Sequence, residues 1–229
     1  RAICRLFKIE NFIHHLSEEK KRLYQLIANS LESFHSNVDS ALKRFIHQIE
    51  IFYEKGLYER CAKIISKAKH IACLHEKYLQ QLEIISWEQK LDSQLGTQTS
   101  NTRMKDIGKE KEIILKKFTH EQQYEDIKYA LFKHYRLNGI PRSQKEVKVY
   151  QKIIGKDLYS REDKALSFNA KHDHYFVHGV YSHALGDLMK SYAYQKKLVD
   201  FLQKYPERSH QQPVKYITAL SNYSNICYS

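Results

Sequence analysis

Apolar residues along the chain recur three and four positions apart, the period of an amphipathic helix. Leu23, Leu26, Ile27 and Leu31 make one such stripe, and Ser17 followed by Glu18 and Glu19 predicts its N-cap and an acidic first turn. Leu42, Phe45, Ile49 and Phe52 predict a helix from Ala41 to about Lys55, stopped at Gly56 as a C′ glycine would stop it. A third helix is predicted from Tyr58 to about Cys73, and a fourth carries Leu79, Leu82, Ile85 and Trp87 to about Leu91. Asp92 to Asp106 is polar, holds Gly96 and has no period, which predicts a loop between two sets of hairpins, 1–92 and 107–229. Ile113, Ile114, Leu115 and Phe118 predict one further helix, and Tyr124, Ile127, Ala130, Leu131 and Tyr135 the next. Asn138-Gly139-Ile140-Pro141 terminates it; Ser143 caps a short helix ending at Gly155, and Ser160 with Asp163 resembles a capping box. Helices to about Leu185, from Leu188 to Tyr205 and from Val214 to Cys227 follow, with Pro206 and Pro213 bracketing a last loop. That makes roughly nine or ten helices joined by short turns, and short turns make neighbours antiparallel.

Composition supports the same class. Gly is 7 and Pro is 3, far too few for the closely spaced turns of a sandwich or barrel. At 42% hydrophobic and 12% aromatic, the chain can build a core and is not a disordered one. The expected fold is all-α, an α–α superhelix of antiparallel helical hairpins.

Leu42 to Ala68 fits a particular hairpin pattern. Phe45 and Phe52 stand at the fourth and eleventh positions of the first helix, Gly56 in the turn and Tyr58 at the start of the second helix. Cys61 is the small residue where two helices meet, and Ile65 and Ala68 follow at core spacing. This stretch resembles the tetratricopeptide repeat, a 34-residue helix–turn–helix. Gln48 and Ile49 depart from its signature, and Cys73 replaces its late proline. A weaker copy begins at His172, with Tyr175, Gly179, Gly186, Leu188 and Ser191 in the matching places and Pro206 three positions late. The copies start 130 positions apart, against 136 for four regular repeats, so the hairpins between them are expected to be degenerate or padded. The run EKGLYERCAKIISKAKHIACLHEKYLQQLEIISWEQKL resembles a group of uncharacterised bacterial tetratricopeptide-like proteins, from about Phe7 to the C-terminus. Members of that group are longer at the N-terminus, and the chain here opens on Arg1, as a fragment or processed form would.

The resemblance also implies a binding surface. In the tetratricopeptide family the second, fifth, ninth and twelfth positions of the first helix line a concave groove. Here those positions are Lys43, Ile46, Glu50 and Tyr53, then Asp173, Phe176, Val180 and His183. The family's clamp for acidic chaperone tails needs Lys and Asn at the fifth and ninth positions, which neither set supplies. The 17 tyrosines suit grooves between helices, with the hydroxyl reaching a polar edge.

Charge adds a rival. The net charge is +12, but basic residues alternate with acidic ones, as in Lys109-Glu110-Lys111-Glu112, the pattern of solvated helix faces. Nucleic-acid binding through a basic face therefore rests on the sum alone. Catalytic patterns are sparse. The sequence has no G-x-S-x-G, phosphate-binding loop or H-E-x-x-H. His174 and His178 share a helix face and could approach one ion, although packing is the simpler role. Cys4, Cys61, Cys73 and Cys227 form no C-x-x-C pair, which fits reduced thiols, and no apolar run is long enough to cross a membrane. The expectation is a cytoplasmic, non-enzymatic scaffold without metal or cofactor, holding a protein or peptide in its groove. Nucleic-acid binding and self-assembly are the alternatives.

Overall fold

The computed structural model describes residues 15–34, 37–95, 101–155, 159 and 161–228. Every regular element among them is helical: α1 Leu16–Phe34, α2 Val38–Glu54, α3 Tyr58–Leu74, α4 Tyr78–Gln94, α5 Asn101–Asn138, α6 Gln144–Ile154, α7 Phe168–Ala184, α8 Leu188–Lys204, α9 Pro206–Gln211 and α10 Pro213–Cys227. A 3₁₀ turn, Glu162–Lys164, precedes α7. None of these helices is long and apolar enough to cross a membrane. The chain divides into two compact units, 1–44 and 45–229.

In the first unit, Ser17 lies inside α1, and the carbonyl of His15 accepts from the N–H groups of Glu18 and Glu19 instead. Asn37 caps α2, its Oδ1 accepting from Ser40 N at 2.7 Å. Neither cap needs tertiary support, because each is made within one turn.

The second unit is built on a recurrent register. Helices α2, α3, α4, α7 and α8 are each 17 residues long. Three of the turns between them are closed identically. Leu57, Lys77 and Asp187 donate their N–H groups to Phe52, Ala72 and Ser182, five residues back. The residue before each donor has positive φ: Gly56 at 69°, Glu76 at 52° and Gly186 at 76°. This is the Schellman ending, in which left-handed backbone lets orphan carbonyls of the last turn find donors.

The two hairpins read from the sequence also share a cross-helix bond. Cys61 Sγ contacts Ile49 O at 3.6 Å, and Ser191 Oγ donates to Gly179 O at 2.9 Å. Each member of the second pair lies 130 positions after its counterpart. Cys61 and Ala68 are 0% exposed and Ile65 is 4% exposed, so the small residues do sit where the helices approach. Phe45, Phe52 and Tyr58 are partly covered. The ring of Tyr58 meets Tyr53 edge-on at 5.8 Å.

What separates the hairpins differs from expectation. Among the described residues the interval holds α4, α5 and α6. Residues 101–138 form one helix, about 57 Å long at the α-helical rise, where two were expected. No Gly or Pro interrupts Phe118 to Tyr124. The polar residue that breaks the apolar pattern there, Glu121, faces inward and accepts from Ser167 Oγ and Asn169 Nδ2 at 2.7 and 3.1 Å. The first half of α5 packs on α4 through Ile85, Ile107 and Ile114. Its second half packs on α6 and α7 through Ile127, Leu131, Tyr150 and Val177. The α3–α4 pair and the α7–α8 hairpin thus lean on one rod.

Further bonds join them. Glu76 Oε2 accepts from Phe168 N at 2.9 Å, satisfying an orphan donor at the start of α7. Arg208 of α9 donates to His75 O and Leu74 O at the end of α3. In the start of α7 itself, Ser167 is the N-cap, accepting from Ala170 N at 3.1 Å. The proposed Ser160 cap lies outside the described residues, while Ser143 caps α6 as its spacing predicts. The segment between Pro206 and Pro213 is not a plain loop: proline at N1 starts both α9 and α10.

Candidate functional site

The second hairpin carries a cavity of about 360 Å³ on the side facing α5 and α10. Its apolar wall is Phe132 of α5, Phe176 and Val180 of α7, and Ile226 of α10. Phe132 and Phe176 face each other with ring centroids 6.5 Å apart. The polar part comes from Tyr135 and His183, from Ser191 and Gln195 of α8, and from Thr218, Asn222 and Asn225 of α10. Tyr135 Oη and His183 Nδ1 approach to 3.4 Å across the α5–α7 seam. No Asp, Glu, Lys or Arg is among the lining residues. Arg136 lies outside this set, stacked on the Phe132 ring at 5.9 Å.

Local sequence explains why the wall is open here. Ser191 takes the Gly179 carbonyl, and the missing Cβ at Gly179 leaves room for the Gln195 amide. A Cβ there would stand 2.5 Å from Gln195 Nε2. The amide therefore lies against α7 at Gly179. Gln195 is 4% exposed, and its Oε1 has no hydrogen-bond partner.

Three of the predicted groove residues, Phe176, Val180 and His183, meet in this cavity. Asp173 does not join them. It is 2% exposed, and Lys128 Nζ binds both of its oxygens at 2.9 and 2.8 Å. His172 Nδ1 completes the site at 2.8 Å from Oδ1. Burial alone would raise the Asp173 carboxyl. The His172 hydrogen bond and the Lys128 charge outweigh it and hold the group below the usual carboxylate range. Burial pushes the His172 imidazole down, so it donates to Asp173 as a neutral ring. Lys215 of α10 donates to Asn169 Oδ1 at 2.8 Å, and Asn169 in turn donates to Glu121. Asp173 is thus a buried tie between α5 and α7, not a groove wall.

The other predicted set is separate. Ile46, Glu50 and Tyr53 lie on α2, with Tyr53 against Trp87 at 5.6 Å, and Lys43 belongs to the first unit. A second cavity of about 560 Å³ lies between α3 and α4, lined by Ile65, Lys69, His70, Cys73, Glu88 and Leu91 among others. None of Ile46, Glu50 or Tyr53 lines it. Lys69 spans it, binding Glu88 and Glu110 at 2.8 Å each.

The histidine-rich stretch of α7 is an aromatic stack. His174 lies parallel to Tyr159 at 5.8 Å and edge-on to His178 at 4.6 Å, and His178 lies parallel to Tyr194 at 4.7 Å. His178 Nε2 donates to Tyr159 O at 2.9 Å, which removes one nitrogen from any ion. Among the described residues no group of three His, Cys, Asp or Glu side chains is placed to hold a metal. Cys61 is buried, and Cys73 and Cys227 are exposed free thiols; Cys4 lies outside the described residues. Burial raises the Cys61 and Cys73 thiols, the opposite of nucleophile activation.

Sequence reasoning missed the partners supplied by α5 and α10. Phe132, Tyr135, Asn222 and Asn225 come from helices outside either hairpin motif, and no local signal marks them. Lys128 had one: a lysine beside Ile127 and Leu131, on the apolar face of a helix, implies a buried counter-charge. No protein-family model matches the chain, and neither a curated protein nor a solved structure is significantly similar to it.

Proposed function

We propose that this chain is a non-enzymatic helical-repeat scaffold of tetratricopeptide-like build that binds a protein partner by seating a peptide segment in the α5–α7–α10 cavity. One observation carries the reading. Phe176, Val180 and His183, which the repeat register assigns to a groove, line a cavity together with three carboxamide side chains. An apolar floor with a few convergent hydrogen-bonding groups is the usual make-up of a ligand site, and about 360 Å³ falls within the usual range. Carboxamides pair equally with the N–H and C=O of a peptide backbone. The matching turns and cross-helix bonds of the two hairpins favour the repeat assignment.

Peptide display against the full chain tests this. Peptides selected on the wild type should lose at least tenfold in affinity for Thr218→Trp, which fills the cavity from an exposed rim position. Failure to select any peptide, or selected peptides that bind the filled variant equally well, would overturn the reading.

A further inference from the structure

Basic and acidic residues separate around the turn between α5 and α6. Residues 129–155 hold six Lys or Arg against one acidic residue, Glu146, so the charge pairing seen on other helix faces is missing here. The Glu146 carboxylate is itself engaged, accepting from Arg142 N at 2.8 Å ahead of α6. On α6, Lys145, Lys148 and Lys152 follow one another at three and four residues, and all are exposed. At 3.6 residues per turn this stripe lies opposite Tyr150 and Ile154, which pack into the core. Arg136 and Arg142 flank the turn itself and are exposed as well. None of these five cations forms an ion pair among the described residues.

The same surface displays aliphatic side chains. Leu137 is 74% exposed and Ile140 is 56% exposed, and Val149 stands among the lysines of the stripe at 41%. The backbone that carries them is braced. Tyr150 Oη donates to Gly139 O, and Asn138 Nδ2 donates to His134 O. Leu137 and Ile140 are thus held out in solvent on a fixed turn, with a cation on either side. A nucleic-acid face gains from stacking aromatics and base-reading polar groups, and leucine and isoleucine offer neither. An anionic bilayer uses both parts: its headgroups meet the cations, and its acyl boundary takes the aliphatic tips. We infer that the α5–α6 turn and the outer face of α6 dock on an anionic lipid surface. Leu137 and Ile140 enter the boundary between headgroups and acyl chains, while the α6 lysines lie along the headgroups. The attachment is peripheral, and the α5–α7–α10 cavity takes no part in it.

The test is co-sedimentation of the full chain with two vesicle preparations, one of phosphatidylcholine alone and one in which about one third of the lipid is phosphatidylserine. The chain should partition onto the second and not the first, and added salt should weaken it. Each Lys or Arg near such a surface is worth roughly fivefold in partitioning, so Lys145→Gln, Lys148→Gln and Lys152→Gln combined should lose about a hundredfold. Leu137→Ser with Ile140→Ser keeps every charge and should still lose about tenfold. All five substitutions fall on exposed side chains, so circular dichroism melts should match the wild type. No partitioning onto the phosphatidylserine vesicles would overturn the proposal, as would equal partitioning onto both preparations. Partitioning unchanged by Leu137→Ser with Ile140→Ser would also overturn it, because charge alone would then be at work. Duplex DNA that binds the chain and strips it from the vesicles, with the serine variant binding that DNA as the wild type does, would assign the face to nucleic acid instead.

Discussion

His174 is the side chain whose ionisation bears most directly on stability. Burial among Tyr124, Tyr159 and His178 pushes its imidazole down to about 4, and the neighbouring His178 adds to the effect. The unfolded chain takes up a proton near 6.5, while the folded chain resists until about 4. Stability from this group is therefore complete above 6.5 and is lost as pH falls through that window. His172 and His178 are also pushed down by burial and act with the same sign. A melting series should show Tm falling from pH 6.5 to pH 4, and His174→Phe should flatten that slope. An unchanged slope would mean the ring is accessible to protons in the native state. These side chains show how far single positions can be read. The tetratricopeptide resemblance implied a groove holding Phe176, Val180 and His183. It put Asp173 there too, because a family register locates a position and says nothing of what packs over it. Lys128, 45 residues away, decides that.

Helix ends were the most legible feature of the chain. Gly56 and Gly186 each mark a turn with positive φ, and helices resume two residues later at Tyr58 and Leu188. Glu76 occupies the equivalent place at the end of α3 without being glycine. Its carboxylate holds Phe168 N and lies 3.7 Å from Arg208, which gives a reason for a side chain there. Nothing lies within 4 Å of a Cβ built at Gly56 or Gly186, so only the backbone objects to a substitution. Gly56→Ala and Gly186→Ala should each cost about 1–2 kcal/mol in denaturant unfolding. Unchanged midpoints would contradict the shared left-handed turn. Element lengths were harder. The stretch Thr119 to Gln123 looks like an interruption because its inward position is filled by Glu121, and a paired carboxylate is indistinguishable from a loop residue until its partners are known. The same limit hid α9, whose six residues are held by Ser209 bonding back to Leu202 at 2.6 Å.

In the second unit the α3–α4 pair and the α7–α8 hairpin lean on the long helix α5, with further ties through Glu76, Arg208 and Lys69. The repeated left-handed turns and cross-helix bonds mark the hairpins and have no counterpart in α5. Exposed charges pair in places, as in Lys116 with Glu112 and Lys190 with Asp187, while the α5–α7–α10 cavity lining is uncharged. A partner held there should therefore bind with little dependence on salt, whereas a phosphate-reading face would weaken steeply. The decisive measurement is a crystal structure of the full chain with a display-selected peptide. The account predicts one side chain of that peptide seated between Phe132, Phe176 and Val180. A peptide bound on any other face, with this cavity left empty, would contradict it.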